Sequence, residues 1–143
     1  MKPIDMVYCW CDRNDPNFLA RKNFYLKKER KEHDNDSVGN HRFVDNEELR
    51  YSLRSLSMYA PWINHVYIVT DRQVPKWLNQ NYEKVTVIDH SQIMPPDIIP
   101  CFISPVIERN IVNIPGLSEH FLYSNDDMFF ERPVNPDFFF CEE

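Results

Sequence analysis

Apolar residues fall in short bursts along this chain, separated by polar, turn-forming stretches. The run Ile4-Asp5-Met6-Val7-Tyr8-Cys9-Trp10 is β-rich and closes on Asp12-Arg13-Asn14-Asp15-Pro16. A buried strand that ends at a loop reads this way. Positions 18–30 mix Phe18, Leu19, Phe24, Tyr25 and Leu26 with many lysines and arginines, which predicts an exposed amphipathic helix or a lid. Positions 31–40 are almost wholly polar around Asp34-Asn35-Asp36-Ser37 and predict a loop.

Asp45-Asn46-Glu47-Glu48 signals a helix start, with Asp45 as cap and Glu48 three residues on, as in a capping box. Leu49, Leu53 and Leu56 supply its apolar face, with Tyr59 as a further candidate, and Pro61 stops it. His65-Val66-Tyr67-Ile68-Val69-Thr70-Asp71 predicts a second strand and Val85-Thr86-Val87-Ile88-Asp89-His90 a third, with 75–81 helical between them. After a proline-rich linker at 94–100, Ser104-Pro105 opens a helix that runs to Ile111 or Val112. Phe121-Leu122-Tyr123-Ser124 predicts a fourth strand before Asn125-Asp126-Asp127. This β-α-β alternation predicts an α/β fold: a mostly parallel, doubly wound, Rossmann-like sheet with flanking helices. Three of the strands end in acidic loops, at Asp12, Asp71 and Asp126-Asp127. Ligands of open α/β sheets bind outside the carboxyl ends of the strands, so these acids are expected to face one crevice.

Composition narrows the chemistry. With 143 residues, 43% of them apolar, one core and one domain are expected. A net charge of −6 and a pI near 5.3 disfavour nucleic acid as a partner, because no basic stripe exists to neutralise a run of phosphates. No run approaches the ~20 apolar residues that span a bilayer, and the first residues lack the apolar core of a signal peptide. A soluble, cytoplasmic chain is the expectation. Gly39 and Gly116 are the only glycines, which excludes both a GxGxxG turn and a Walker A loop. A phosphate would have to be held by a metal, side chains or helix ends. Cys9, Cys11, Cys101 and Cys141 lack paired CxxC spacing and read as reduced thiols, although Cys9 and Cys11 share one side of a strand and could pinch a soft metal.

Asn125-Asp126-Asp127 offers two carboxylates and an amide, oxygen donors suited to Mg²⁺ or Mn²⁺ held against a diphosphate. NDD is also a common turn. Its apolar neighbours tip the reading, since two like charges desolvated together call for a cation. Arg42, Arg50 and Arg54 bracket the second helix, and Arg50 and Arg54 lie one turn apart, as a phosphate clamp requires. Surface ion pairs with Glu47 fit that spacing equally well. Glu108 reads either as a ligand for sugar hydroxyls or as a solvent-facing residue. His41, His65 and His90 are general-base candidates by titration range alone, and histidines in such settings are more often structural.

Taken in order, these motifs resemble the Stealth family of sugar-phosphate transferases. Positions 1–17, with Ile4 to Trp10, Asp12 and Asp15-Pro16, resemble its first conserved region. Positions 41–140 look like the second, through Arg42-Phe43-Val44-Asp45-Asn46-Glu47-Glu48-Leu49-Arg50, Tyr59-Ala60-Pro61-Trp62, Ile68-Val69-Thr70-Asp71, Asp89-His90-Ser91, Ser104-Pro105-Val106-Ile107-Glu108, Asn125-Asp126-Asp127 and Asp137-Phe138-Phe139. Cys9, Cys11 and Arg13 depart from the family's usual threonine, valine and small residue.

The resemblance implies a glycosyltransferase-A-like sheet and transfer of a sugar 1-phosphate from a nucleotide sugar, UDP-linked for preference, to a glycan hydroxyl in capsular or surface polysaccharide synthesis. It implies Asp126 and Asp127 as catalytic residues and, with Asn125, as holders of Mg²⁺ or Mn²⁺. Tyr8, Trp10, Asp12, Arg42, Asp45, Arg50, Arg54, Asp71, Ser104 and Glu108 are implied to bind substrate. Cytoplasmic placement, peripheral to the inner membrane, follows from where the donor is available. Third and fourth conserved regions, including a histidine acting with the carboxylates, would lie beyond position 143, so one nucleotide-sugar phosphotransferase domain, incomplete at its carboxyl end, is expected. A metal-dependent glycosyltransferase and a non-catalytic nucleotide-sugar-binding module are the alternatives.

Overall fold

The structure is a computed structural model that describes residues 2–29 and 46–141. The first apolar burst forms β1 (Ile4–Cys9), which is paired on both edges. β2 (Val66–Thr70) lies on one side in parallel, with Met6 opposite Val66 and Cys9 opposite Val69. β4 (His120–Asn125) lies on the other, also in parallel, with Ile4 opposite His120 and Cys9 opposite Asn125. β3 (Val85–Asp89) continues outward from β2, so the order is β3-β2-β1-β4 and all pairings are parallel. The α/β, parallel, Rossmann-like expectation is borne out.

Side chains of β1 alternate between two cores because successive residues of a strand point to opposite faces. Ile4, Met6, Tyr8 and Trp10 pack with Leu49, Leu56, Ala60 and Ile63 from the side of α2 (Glu48–Tyr59). Val7 joins Tyr67, Val69, Ile88, Ile93, Met94, Ile111 and Ile114 on the opposite face, where α3 (Ser104–Asn110) lends Val106 and Ile107. Both faces are therefore covered, which is why the strands read as near-continuous apolar runs. α1 (Pro16–Glu29) begins where the polar turn after β1 was read, and its Phe18 meets Phe102 edge-on at 5.8 Å.

Two local expectations are corrected. Between β2 and β3, residues 75–81 make turns instead of a helix. The Asn79 side chain takes the Asn81 backbone N–H at 3.1 Å, the local competition by which asparagine diverts a backbone from helix. At the start of α2 the cap position is Glu47, in the left-handed region at φ 63°, with no side-chain cap bond. The Glu48 carboxylate instead receives the Asn46 backbone N–H at 2.7 Å and its side-chain amide at 3.0 Å. Asp45, Arg42 and the 31–40 segment lie outside the described residues.

Beneath the sheet, Asp5 is 1% exposed and fastens two connections at once. It accepts from Asn64 Nδ2 at 2.9 Å, ahead of β2, and from the Ser118 backbone N–H at 2.8 Å, ahead of β4. Asp5→Ala strands both donors, and the expected loss is about 2 kcal/mol, read as a lower urea midpoint; an unchanged midpoint would show the fastening to be idle. His90, 5% exposed at the end of β3, is pushed below the ordinary histidine range by burial, against the opposing pull of Asp71 and Asp89. The unfolded chain therefore takes the proton first. Stability is fully present above the unfolded value of about 6.5 and falls as pH drops from there towards the folded value. Urea titrations at successive pH values should show His90→Gln with a shallower acid decline than the parent, by up to about 1.4 kcal/mol per pH unit within that window.

Candidate active site

The order of connections turns back at β1: β2 and β3 build outward on one side, and β4 is added on the other. Loops leaving β1 and β4 therefore diverge and open a crevice at the carboxyl ends of the strands. A cavity of about 570 Å³ occupies this place, within the usual range for small-molecule sites. Cys9, Trp10 and Cys11 line it from the end of β1, Asp71 from β2, His90 from β3, and Asn125, Asp126 and Asp127 from β4. Asn46 and Glu48 contribute from the start of α2, and Phe102, Ser104 and Ile107 from the approach to α3 and its first turns.

Each wall is fixed by a specific contact. The Gln73 side chain clasps the β1 loop: its Oε1 accepts the Asp12 backbone N–H at 2.9 Å, and its Nε2 donates to the Asp12 carbonyl at 2.7 Å and to Asp15 Oδ2 at 3.1 Å. That bond is the main reason the Asp15 carboxyl is held below its usual range. Asp71, 3% exposed, is paired with Arg21 of α1 at 3.2 Å. The strap after β4 is tied to α2 by small polar residues on the helix's buried face. Ser52 Oγ donates to the Met128 carbonyl at 2.5 Å, and the Phe130 N–H donates to Ser55 Oγ at 3.0 Å. Since the Ser52 proton is committed to that carbonyl, the Tyr8 hydroxyl 2.9 Å away donates to Ser52.

The structure thus gathers Trp10, Asp71, Ser104, Asn125, Asp126 and Asp127 around one cavity. Glu108 stands at its lip, where Oε1 meets the hydroxyl of the cavity-lining Tyr123 at 3.1 Å. Tyr8 is not among the lining residues: it is 1% exposed, in the core beneath α2. Asp12 Oδ1 accepts the Asn14 N–H at 2.8 Å and shapes its own loop. Arg50 and Arg54 share a helix face as their spacing requires, but that face lies away from the stripe of Leu49, Ser52 and Leu56 that α2 buries. Arg50 is paired with Glu47 at 3.3 Å, and the Arg54 guanidinium sits 5.6 Å from the Tyr51 ring. Among the described residues no lysine or arginine lines the cavity.

Tyr123, Glu48, Asn46 and Phe102 are cavity residues that reading the sequence did not single out. Tyr123 carried a usable signal: it precedes Asn125 by two positions on a strand and so shares its face. Burial, reinforced by Glu108 and Asp126 and opposed by hydrogen bonding with Tyr123, pushes the Cys9 thiol up to about 12.

Asn125, Asp126 and Asp127 present an amide and two carboxylates from one turn. Among the described residues no group of three or more His, Cys, Asp and Glu side chains is arranged to hold a metal ion, so an all-protein cage is not what this turn offers. Hard oxygen donors in an open set fit a Mg²⁺-like ion, which commonly takes one or two carboxylates and completes its shell with water and substrate phosphate oxygens. Among the described residues no helix is long and apolar enough to cross a membrane.

An exopolysaccharide phosphotransferase of Lactiplantibacillus plantarum, cps2G, is 48% identical over 140 residues, covering 98% of this chain and 40% of that protein. An exopolysaccharide phosphotransferase of Streptomyces coelicolor is 49% identical over 139 residues, 96% of this chain and 23% of its own length. The capsular polysaccharide phosphotransferase LcbA of Neisseria meningitidis is 43% identical over 140 residues, 96% of this chain and 37% of its own. The chain therefore spans two-fifths or less of these relatives. Residues 42–143 match the family described as Stealth protein CR2, conserved region 2. With that match over most of its length, the chain belongs to the Stealth protein family.

Proposed function

We propose that this chain carries the donor-binding and metal-binding part of a phosphotransferase of capsular or surface polysaccharide synthesis, one that transfers a sugar 1-phosphate from a nucleotide sugar to a glycan hydroxyl. The observation that carries the reading is the convergence of Asn125, Asp126 and Asp127 with Asp71, Ser104 and Trp10 on one cavity at the turning point of the sheet. The names of the relatives, exopolysaccharide and capsular polysaccharide phosphotransferases, support phosphoryl chemistry on a glycan substrate.

In the reaction an acceptor hydroxyl oxygen attacks the sugar-bearing phosphorus of the donor. A new P–O bond forms, the pyrophosphate bridge breaks, and a nucleoside monophosphate leaves. A divalent cation held by Asn125, Asp126 and Asp127 would offset the diphosphate charge and the charge that builds on the leaving oxygen. The lining supports this need, for it holds Glu48, Asp71, Asp126 and Asp127 and, among the described residues, no lysine or arginine. Arg42, outside the described residues, is a further candidate for phosphate contact. Asp127 orients the attacking hydroxyl and accepts its proton, Ser104 and Glu108 bind sugar hydroxyls, and Trp10 borders the nucleotide. A nucleotide-sugar substrate implies a cytoplasmic site of action.

Phosphorus-31 NMR of the chain with Mg²⁺, a panel of nucleotide sugars and a glycan acceptor tests this directly. A nucleoside monophosphate together with a new phosphodiester signal is the expected result. Release of a nucleoside diphosphate would instead identify plain glycosyl transfer, and donor-induced line broadening without release would identify a binding module. Asp127→Asn should lower turnover by at least about a hundredfold with an unchanged melting temperature. Stripping divalent cations with a chelator should stop the reaction, and added Mg²⁺ or Mn²⁺ should restore it; activity that survives chelation rules out the metal role.

A further inference from the structure

Tyr123 sits on β4 with its side chain on the wall of the cavity, and its hydroxyl stands beside the Cys9 thiol of β1 and between two oxygen-bearing groups from different elements. Glu108 Oε1 of α3 lies 3.1 Å away, and the side-chain oxygen position of Asn125, at the end of β4, lies 3.3 Å away. A phenol carries one proton, whereas a carboxylate and an amide oxygen both only accept. The hydroxyl therefore cannot satisfy both. Donating to the charged carboxylate makes the stronger bond and leaves an amide oxygen facing the phenol oxygen. Half a turn of the Asn125 amide about its last torsion relieves this conflict while keeping the same atom positions. The amide NH₂ then donates to the Tyr123 oxygen, Tyr123 donates to Glu108, and the Asn125 oxygen turns away from the phenol.

We infer that Tyr123 is a positioning residue of this site: through a directed chain, Asn125 to Tyr123 to Glu108, it sets which atom Asn125 presents beside Asp126 and Asp127 and locks Glu108 at the cavity lip. The side chain links α3 to the turn after β4, two parts of the site that the backbone connects only through residues 111–119. Orienters of this kind fix the ligands of a site without touching the reacting atoms, and their loss typically costs roughly 10- to 100-fold in activity. The catalytic part of this inference rests on the phosphotransfer reading above; the geometric part does not.

The test is Tyr123→Phe, which keeps the ring and removes only the hydroxyl. In protein labelled with ¹⁵N at asparagine, the Asn125 side-chain NH₂ pair, assigned by its disappearance in Asn125→Asp, should shift in the variant, and one of its protons should exchange with water several-fold faster. The melting temperature should stay within a few degrees of the parent. Turnover should fall roughly 10- to 100-fold in kcat with little change in the donor KM, the pattern of a lost orienting group. In Glu108→Ala, which removes the acceptor, Tyr123→Phe should cost much less than it does in the parent, because the two act in one chain. An Asn125 pair that is unmoved in Tyr123→Phe overturns the inference whatever turnover does. A moved pair with unchanged kcat overturns the positioning role. If the parent shows neither transfer nor binding of the donor, the phosphotransfer reading fails, and with or without transfer the Asn125 signals decide whether the chain of bonds exists.

Discussion

Everything in this structure depends on the double pairing of β1. A parallel strand cannot be reached by a tight hairpin, so each neighbour of β1 needs a crossover that covers one face of the sheet. With β2 on one edge and β4 on the other, β1 has both edges bonded and both faces packed, and Ile4, Met6, Val7 and Tyr8 are all at most 4% exposed. The same pairing forces the connections to turn back at β1, and the loops that part there make the crevice. Stability and site come from one topological fact.

Polar groups are distributed along this frame in two different ways. At the amino-terminal edge of the sheet Asp5 is enclosed and answered by two donors, as a buried carboxylate must be. Ser52, Ser55 and Gln73 similarly use short bonds to carbonyls and N–H groups to fasten loops that have little apolar surface of their own. At the opposite edge Asp71, Asp126 and Asp127 come together on a cavity wall, with Arg21 beside Asp71 as the cationic partner. The contrast between an answered acid at one edge and gathered acids at the other separates the fastening of the fold from its chemistry.

Much of this was legible in the order of residues. β-rich apolar bursts marked all four strands, most plainly β1 and β2, which are covered on both faces and leave no polar alternation to confuse the pattern. The acidic strand ends were legible as well, since polar residues at such ends lie next to the apolar runs that define the strands. The helix expected at 75–81 failed, because asparagine side chains there compete for the backbone, an effect that apolar spacing does not register. The Arg50 and Arg54 spacing was read correctly as one helix face, but which way that face points depends on how α2 packs, and the sheet takes the side of Leu49, Ser52 and Leu56.

The sequence by itself determined the four strands, the parallel α/β class, the acids at the strand ends and membership of the Stealth family, since these rest on local periodicity and on the order of motifs along the chain. Only the tertiary structure decided that Asp71, His90 and Asn125 to Asp127 share one cavity, that Tyr8 turns into the core, and that Tyr123 joins Glu108 to Asn125. The reason is physical. Which strand end lies beside which is set by the order β3-β2-β1-β4, and that order follows from long-range packing on the two faces of β1, which no window of neighbouring residues contains.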